Sequence, residues 1–211
     1  MTPARLPVLG LIGAIGAGKS TAARAFAARG GRAIDCDRLG HEALALSDVL
    51  DRLVKRWGTR ILNGDGSPNR KAIGGIVFAD TTERTFLESV VFPAIGTLAR
   101  REMAKAVDDP TVRFIVLDAA TLLEASWGVF CDRIVYVDAS EDVRRNRVRV
   151  RSGWDETELS RREAAQWPAA VKKARADAVI SNDGTESDLR ASADGLLKEW
   201  GWLDEKECRD D

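Results

Sequence analysis

One stretch of sequence decides the fold: Gly13-Ala14-Ile15-Gly16-Ala17-Gly18-Lys19-Ser20. It fits the pattern G-x-x-x-x-G-K-[ST], in which glycines let the backbone wrap until its N–H groups meet phosphate oxygens. Lys19 is then placed to reach the β- and γ-phosphates of a nucleotide, and the Ser20 hydroxyl to ligate Mg²⁺. The stretch predicts a phosphate-binding loop (P-loop) for ATP with Mg²⁺ as cofactor.

Regular structure is predicted on both sides of this loop. Val8–Ile12 has the apolar character of a buried strand, and the alanine-rich Thr21–Ala28 favours a helix that begins near Lys19. Long helical stretches separate further strand-like runs, which is typical of parallel pairing with helices on both faces. The sequence therefore predicts an α/β fold with a doubly wound parallel sheet. The further runs are Arg32-Ala33-Ile34-Asp35, Phe114–Leu117, Ile134–Val137 and Ala178–Ile180.

The second and third strands lie about 75 residues apart, too far for a single crossover helix. A stripe formed by Leu87, Val91, Ile95 and Leu98 indicates a long helix in this segment. A second helical segment carries seven arginines between positions 144 and 162. We expect a single domain over residues 1–211, with the core at about 1–40, 109–139 and 174–200, a helical insertion at about 41–108 and a helical lid at about 140–173.

Charge and cysteine content limit the function classes. The chain has 32 Lys and Arg against 33 Asp and Glu, a formal net charge of −1, which argues against a dedicated nucleic-acid or polybasic membrane binder. Three scattered cysteines form neither a disulfide framework nor a CxxC zinc pair. The expectation is a cytoplasmic protein, monomeric or weakly homo-oligomeric, that binds a small-molecule substrate and neither nucleic acid nor membrane.

Carboxylates at the ends of two strands are candidate catalytic groups. Asp35 and Asp37 follow the second strand, and ligands gather outside the carboxyl ends of parallel strands. Asp37 is placed to accept a proton from an attacking hydroxyl; the structural alternative is an N-cap for a helix that begins at Arg38. Asp118 ends the third strand in the position of a Walker-B-like carboxylate, or it is a polar strand terminus.

Three arginines of the second helical segment are candidate phosphate clamps. Arg147 and Arg151 are four residues apart, hence on one helical face, and Arg162 follows further along the chain. Guanidinium groups bind transferring phosphoryl oxygens through paired N–H donors. The alternative is a basic helix face exposed to solvent.

With these residues in view, the chain resembles the dephospho-coenzyme A kinases from about Pro7 to Arg190. The segment Leu11–Thr21 is similar to the opening motif of that family, and Ile34-Asp35-Cys36-Asp37 to its I-D-A-D step. The remaining elements follow in the family's order. They are Arg70, Ile73 and Val77-Phe78 (R-x-x-L-x-x-x-V-F), Asp118–Glu124 (D-x-P-L-L-x-E), the lid arginines Arg147 and Arg151, Arg162 with Gln166 (R-x-x-x-Q), and Ala176–Asn182 (A-D-x-V-I-x-N).

The resemblance implies a P-loop NTPase fold with a helical acceptor-binding insertion and a helical lid. It also implies ATP-dependent phosphorylation of the ribose 3′-hydroxyl of dephospho-CoA, the last step of coenzyme A biosynthesis. The implied catalytic residues are Asp37, Lys19 and Arg147. The implied ATP-binding residues are Gly13, Ala14, Ile15, Gly16, Ala17, Gly18, Lys19, Ser20, Thr21, Arg147, Arg151 and Asn182; the acceptor-binding residues are Asp35, Asp37, Arg70, Phe92 and Arg162; and the metal ligands are Ser20 and Asp118.

The chain departs from the family pattern at two positions. Phe92-Pro93 stands where the family usually has His-Pro, and Ala120 replaces the proline of P-L-L. Two other functions stay open at this point. One is a P-loop kinase acting on shikimate, gluconate or a nucleoside monophosphate, and the other is a nucleotide-binding regulatory protein that has lost phosphotransfer.

Overall fold

The computed structural model describes residues 5–203, which form two compact units. The first unit comprises the described residues up to Asp35 and those from Met103 onwards, and the second comprises Cys36–Glu102. The strands are β1 (Val8–Ile12), β2 (Gly31–Asp35), β3 (Phe114–Asp118), β4 (Arg133–Asp138) and β5 (Ala178–Ser181). The helices are α1 (Lys19–Ala27), α2 (Cys36–Leu44), α3 (Ser47–Trp57), α4 (Arg70–Val77), α5 (Thr81–Val107), α6 (Glu141–Ser152), α7 (Glu156–Glu163), α8 (Ala169–Ala174) and α9 (Glu186–Glu199).

The first unit is built on a parallel sheet with the strand order β2-β3-β1-β4-β5. β1 lies at its centre, and all five of its residues are buried, which explains its uninterrupted apolar sequence. On one face the buried core includes Leu9, Phe26, Val116 and Leu197, contributed by strands and by α1 and α9. The predicted doubly wound α/β class is confirmed.

The order of the strands sets the position of the functional residues. The connection from β1 through α1 to β2 passes over β3, so the chain reverses direction across the sheet beside β1. The carboxyl ends of β1, β3, β4 and β5 therefore meet at one edge, which is where an open parallel sheet binds ligands. In β2 and β3, Asp35 and Asp118 are register partners at this edge.

The second unit is helical, as the sequence predicts for this segment. A tight turn over residues 63–68 separates a short 3₁₀ turn at Thr59–Ile61 from α4, and the Asn63 N–H donates to the Ser67 carbonyl at 2.8 Å. The carboxylate of Glu83 accepts hydrogen bonds at 2.7 Å from both Arg56 Nη2 and Trp57 Nε1. These bonds tie the beginning of α5 to the end of α3.

One structural alternative from the sequence is wrong. α2 begins at Cys36, directly after β2, so Asp37 is the second residue of this helix and not the N-cap of a helix starting at Arg38. A carboxylate in the first helical turn interacts favourably with the positive end of the helix dipole.

No helix among residues 5–203 is long and apolar enough to cross a membrane.

The ion pair in the second unit predicts a pH-dependent effect on stability. Hydrogen bonds from Arg56 and then Trp57 lower the pKa of Glu83 from its ordinary value of 4.5 to about 2. A lowered pKa stabilises the fold above the unfolded-state value, and this stabilisation is lost as the pH falls from 4.5 towards 2. We expect Glu83→Gln to lower the urea midpoint at pH 7 and to lower it progressively less below pH 4.5.

The measurement is urea denaturation followed by tryptophan fluorescence across this pH range. Glu199→Gln is the matched control, since the side chain of Glu199, at the end of α9, makes no hydrogen bond or ion pair among residues 5–203. If the urea midpoint of Glu83→Gln differs from that of the unmodified protein by the same amount at every pH, the lowered pKa of Glu83 is contradicted.

Candidate functional site

The loop between β1 and α1 depends on glycines at positions where neighbouring backbone comes close. Gly16 and Gly18 have φ values of 81° and 89°, a region that side-chain-bearing residues rarely adopt. A Cβ added at Gly13 would lie 2.5 Å from the Val137 carbonyl oxygen, and one at Gly16 would lie 2.7 Å from that of Arg144. The loop can therefore pack against β4 and α6 only because these positions are glycine.

Lys19 and Ser20 begin α1, and Ser20 contacts the third strand. The Ser20 hydroxyl donates to Asp118 Oδ2 at 2.7 Å, and Lys19 Nζ donates to the Gly13 carbonyl at 3.4 Å. Asp118 is only 9% exposed. Burial raises the pKa of its carboxyl group; the Ser20 hydrogen bond and the Lys19 charge oppose this rise, whereas the nearby Asp35 carboxylate adds to it.

The Ser20–Asp118 pair fits a magnesium ion. Hydroxyl and carboxylate oxygens are ligands that Mg²⁺ prefers, and this ion is held by one or two carboxylates together with waters and substrate phosphates. Within residues 5–203 no group of three or more His, Cys, Asp or Glu residues could form an all-protein metal cage. The donor set therefore matches a metal that arrives with a nucleotide.

Two side chains donate hydrogen bonds to a backbone carbonyl oxygen of the loop. Asn182 follows β5, is 5% exposed, and donates from Nδ2 to the Ala17 carbonyl at 2.7 Å. Arg147 on α6 donates from Nη2 to the Asn182 carbonyl at 2.8 Å and from Nη1 to the Ala17 carbonyl at 3.4 Å. The structure thus brings two predicted ATP-binding residues together against the loop.

Arg144 is a loop contact that the sequence analysis missed. Its Nη1 donates at 3.1 Å to the Ile15 carbonyl and at 2.5 Å to Glu163 Oε1 on α7. The sequence does hold a signal for this contact, because Arg144 precedes the candidate Arg147 by three residues and so lies on the same helical face. Among seven arginines the sequence alone did not distinguish it.

The other two candidate arginines differ from Arg147 in their surroundings. Arg151 is exposed near the end of α6. Its charge partly opposes the rise that burial causes in the pKa of Asp118. Arg162 on α7 donates from Nε to Glu158 Oε1 at 2.6 Å, and its guanidinium carbon lies 4.0 Å from the ring centroid of Trp154. Arg162 is therefore paired with a carboxylate, whereas Arg147 contacts backbone carbonyl oxygens of the loop and of Asn182.

A buried lysine fixes the segment that follows Asp118. Lys172 on α8 is 1% exposed, and its Nζ lies 2.8 Å from both Glu124 Oε1 and the Ala120 carbonyl oxygen and 3.0 Å from Gln166 Oε1. No sequence signal singled out Lys172, since an isolated lysine is ordinarily exposed. The contact at position 120 uses a backbone oxygen, which alanine and proline both supply.

The second unit holds the remaining predicted residues. Asp37 is exposed in the first turn of α2, and Phe92 is half-buried in α5. Arg70 is the first residue of α4, and its Nη1 lies 2.7 Å from Nε2 of His41 on α2. This Arg70–His41 contact was not predicted.

Comparison with known proteins adds an independent finding. The family model for dephospho-CoA kinase matches residues 7–188. A dephospho-CoA kinase from Parasynechococcus marenigrum is 35% identical over 184 residues, covering 87% of this chain and 91% of the relative. One from Geobacter sulfurreducens is 40% identical over 185 residues, covering 86% and 92%. The crystal structure of TT1252 from Thermus thermophilus has a TM-score of 0.79 at 28% identity, covering 93% of this chain and 98% of that one.

The Arg144 contact generates a prediction about nucleotide affinity. Arg144→Met keeps the apolar stem but removes the donor to the Ile15 carbonyl, so the loop loses a restraint. We expect ATP affinity to fall by about 3- to 10-fold, since the net contribution of one ordinary hydrogen bond in a folded protein is about 1 kcal/mol. Calorimetric titration measures it. Arg145→Met is the matched control, since Arg145 pairs only with Glu141 and Glu156 among the described residues; equal affinities for the two variants would contradict the prediction.

Proposed function

The chain belongs to the dephospho-CoA kinase family and is an ATP-dependent kinase of the last step of coenzyme A biosynthesis, and from this premise we propose how its residues share the reaction. The observation that carries the proposal is the buried Asp118 carboxylate hydrogen-bonded to Ser20 at the start of α1. This hydrogen bond joins the predicted phosphate-binding loop, which ends near Ser20, to the predicted metal ligand Asp118.

The residues from Gly13 to Thr21 hold the phosphates of ATP. The loop N–H groups and the positive end of α1 favour an anion at this position. Lys19, Arg147 and Arg151 neutralise charge on the β- and γ-phosphoryl groups, and Asn182 keeps the loop in shape through the Ala17 carbonyl. Ser20 and Asp118 would hold Mg²⁺, which when bound would offset the negative charge of the phosphate oxygens.

Asp37 is the base for the acceptor hydroxyl. The ribose 3′-oxygen attacks the γ-phosphorus, the bond to the β–γ bridging oxygen breaks, ADP leaves, and the hydroxyl proton goes to the Asp37 carboxylate. Two observations support this role: Asp37 is exposed, and it follows Asp35, the register partner of Asp118, by two residues along the chain. Asp35 orients the acceptor.

The acceptor is bound by Asp35, Asp37, Arg70, Phe92 and Arg162, and the segment at about 41–108 is the acceptor-binding insertion. Residues at about 140–173 form a lid that closes over ATP and excludes water, which prevents hydrolysis without acceptor. The remaining residues of the chain form the core. Support comes from the positive charge of Arg70 and from the Arg144 and Arg147 contacts that link α6 to the loop.

We further propose that the enzyme is cytoplasmic and acts as a monomer or weak homo-oligomer on a small molecule, with no nucleic-acid or membrane partner. The near-zero net charge of −1 supports this partner set.

The decisive experiment is ADP release by purified protein with ATP and Mg²⁺, with and without dephospho-CoA, together with the mass of the product. We expect release that depends on dephospho-CoA and a product carrying one added phosphoryl group. Release that ignores the acceptor, or phosphorylation of shikimate or gluconate in its place, would overturn the proposal.

The two neighbouring aspartates are expected to respond differently to loss of charge. Asp37→Asn removes the proton acceptor and should lower kcat by about 10²- to 10⁴-fold while sparing ATP binding. Asp35→Asn, the matched control, should act mainly on the KM for dephospho-CoA, whereas Lys19→Ala should weaken ATP binding itself. Steady-state kinetics and nucleotide titration separate these effects, and near-normal turnover by Asp37→Asn would refute the base assignment.

A further inference from the structure

His41, the single histidine of the chain, makes its side-chain contact with Arg70. The two nitrogen atoms, Arg70 Nη1 and His41 Nε2, lie 2.7 Å apart. A guanidinium group has donors and no acceptor, so the imidazole must accept at Nε2. Acceptance at Nε2 requires the tautomer with its proton on Nδ1, and the contact is then an oriented hydrogen bond between α2 and α4.

Arg70 occupies a position that helix stability does not explain. It is the first residue of α4, where the positive end of the helix dipole disfavours another positive charge. The start of this helix is already capped by Asn69, whose side chain accepts from the Ala72 N–H at 3.0 Å. A cation at this position adds to an anion-attracting field, and so it suits a ligand that carries negative charge.

No carboxylate among the residues that the structure describes neutralises the charge of Arg70. Within residues 5–203, Arg70 forms no ion pair with a carboxylate, and Glu42, the acidic neighbour of His41 in sequence, is engaged by Arg38. A carboxylate in place of His41 would orient Arg70 but cancel its charge. A neutral imidazole orients the guanidinium group and leaves its full charge for a ligand.

We propose that His41 is a positioning residue for acceptor binding. His41 accepts a hydrogen bond from one N–H of Arg70 and so fixes the orientation of the guanidinium group. The remaining N–H donors are then already arranged to bind the diphosphate oxygens of dephospho-CoA. Ordering the long arginine side chain before the acceptor arrives reduces the entropy lost on binding. The inference rests on the proposed role of Arg70 in binding the acceptor.

The test compares His41→Ala, His41→Gln, Arg70→Ala and the double variant His41→Ala/Arg70→Ala in steady-state assays with dephospho-CoA and ATP. Both side chains are exposed, so the variants are expected to fold, and thermal denaturation checks this. We expect His41→Ala to raise the KM for dephospho-CoA by about 3- to 10-fold, the range that loss of one ordinary protein hydrogen bond gives. The KM for ATP and kcat should not change.

Two further results are expected if His41 acts through Arg70. His41→Gln should restore the KM for dephospho-CoA, because its amide oxygen accepts as Nε2 does. The double variant should have the KM of Arg70→Ala alone, because without the guanidinium group the imidazole has nothing to position.

Failure of the inference and failure of the proposed function give different results. If Arg70→Ala raises the KM for dephospho-CoA and His41→Ala does not, Arg70 binds the acceptor and the positioning role is refuted. If the two effects add in the double variant, His41 acts independently and the inference is equally refuted. If Arg70→Ala leaves this KM unchanged, the acceptor role of Arg70 fails, and the inference fails with it.

Discussion

The close approach of two backbone carbonyls and one side chain to the phosphate-binding loop is the constraint on which the site depends. The Val137 carbonyl of β4, the Arg144 carbonyl of α6 and the Asn182 side chain after β5 lie where a Cβ at Gly13, Gly16 or Gly18 would have to be. The glycines thus do more than permit an unusual backbone path, because they admit the groups that hold that path in place. The β1 strand, buried at the centre of the sheet, supplies the rigid base.

The direction in which the peptide groups of the loop point follows from this packing. The carbonyl oxygens of Ile15 and Ala17 accept from side chains of α6 and of the segment after β5. Peptide groups held by their oxygen atoms point their N–H atoms the opposite way, so donors from the surrounding unit orient the loop for an anion. Ser20 extends the same arrangement to Asp118, a carboxylate that burial makes harder to ionise and that nearby positive charges help to keep ionised.

The sequence predicted most of the fold and part of the site. The strand runs, the loop and the helical insertion all have local signals, namely apolar runs, glycines at fixed spacing and a 3.6-residue stripe. Arg144, Lys172 and the partner of Arg70 could not be found in this way, because each contact joins segments that are distant in sequence. Arg144 and Ile15 are 129 positions apart, and Lys172 and Ala120 are 52 apart. Nor does spacing tell which of several arginines on a helix faces inward.

The buried ammonium group of Lys172 has a mechanical consequence. It fastens α8 to the segment after β3, while Arg144 and Arg145 fasten α7 to α6 through Glu163 and Glu156. α7 is thus linked to α6, whereas α8 is linked to the segment after β3. The few residues between Glu163 and Ala169 join two helices that are held by different partners. Any displacement of α7 relative to α8 therefore has to be accommodated by backbone rotation in these few residues, where the ring of Pro168 fixes one dihedral angle.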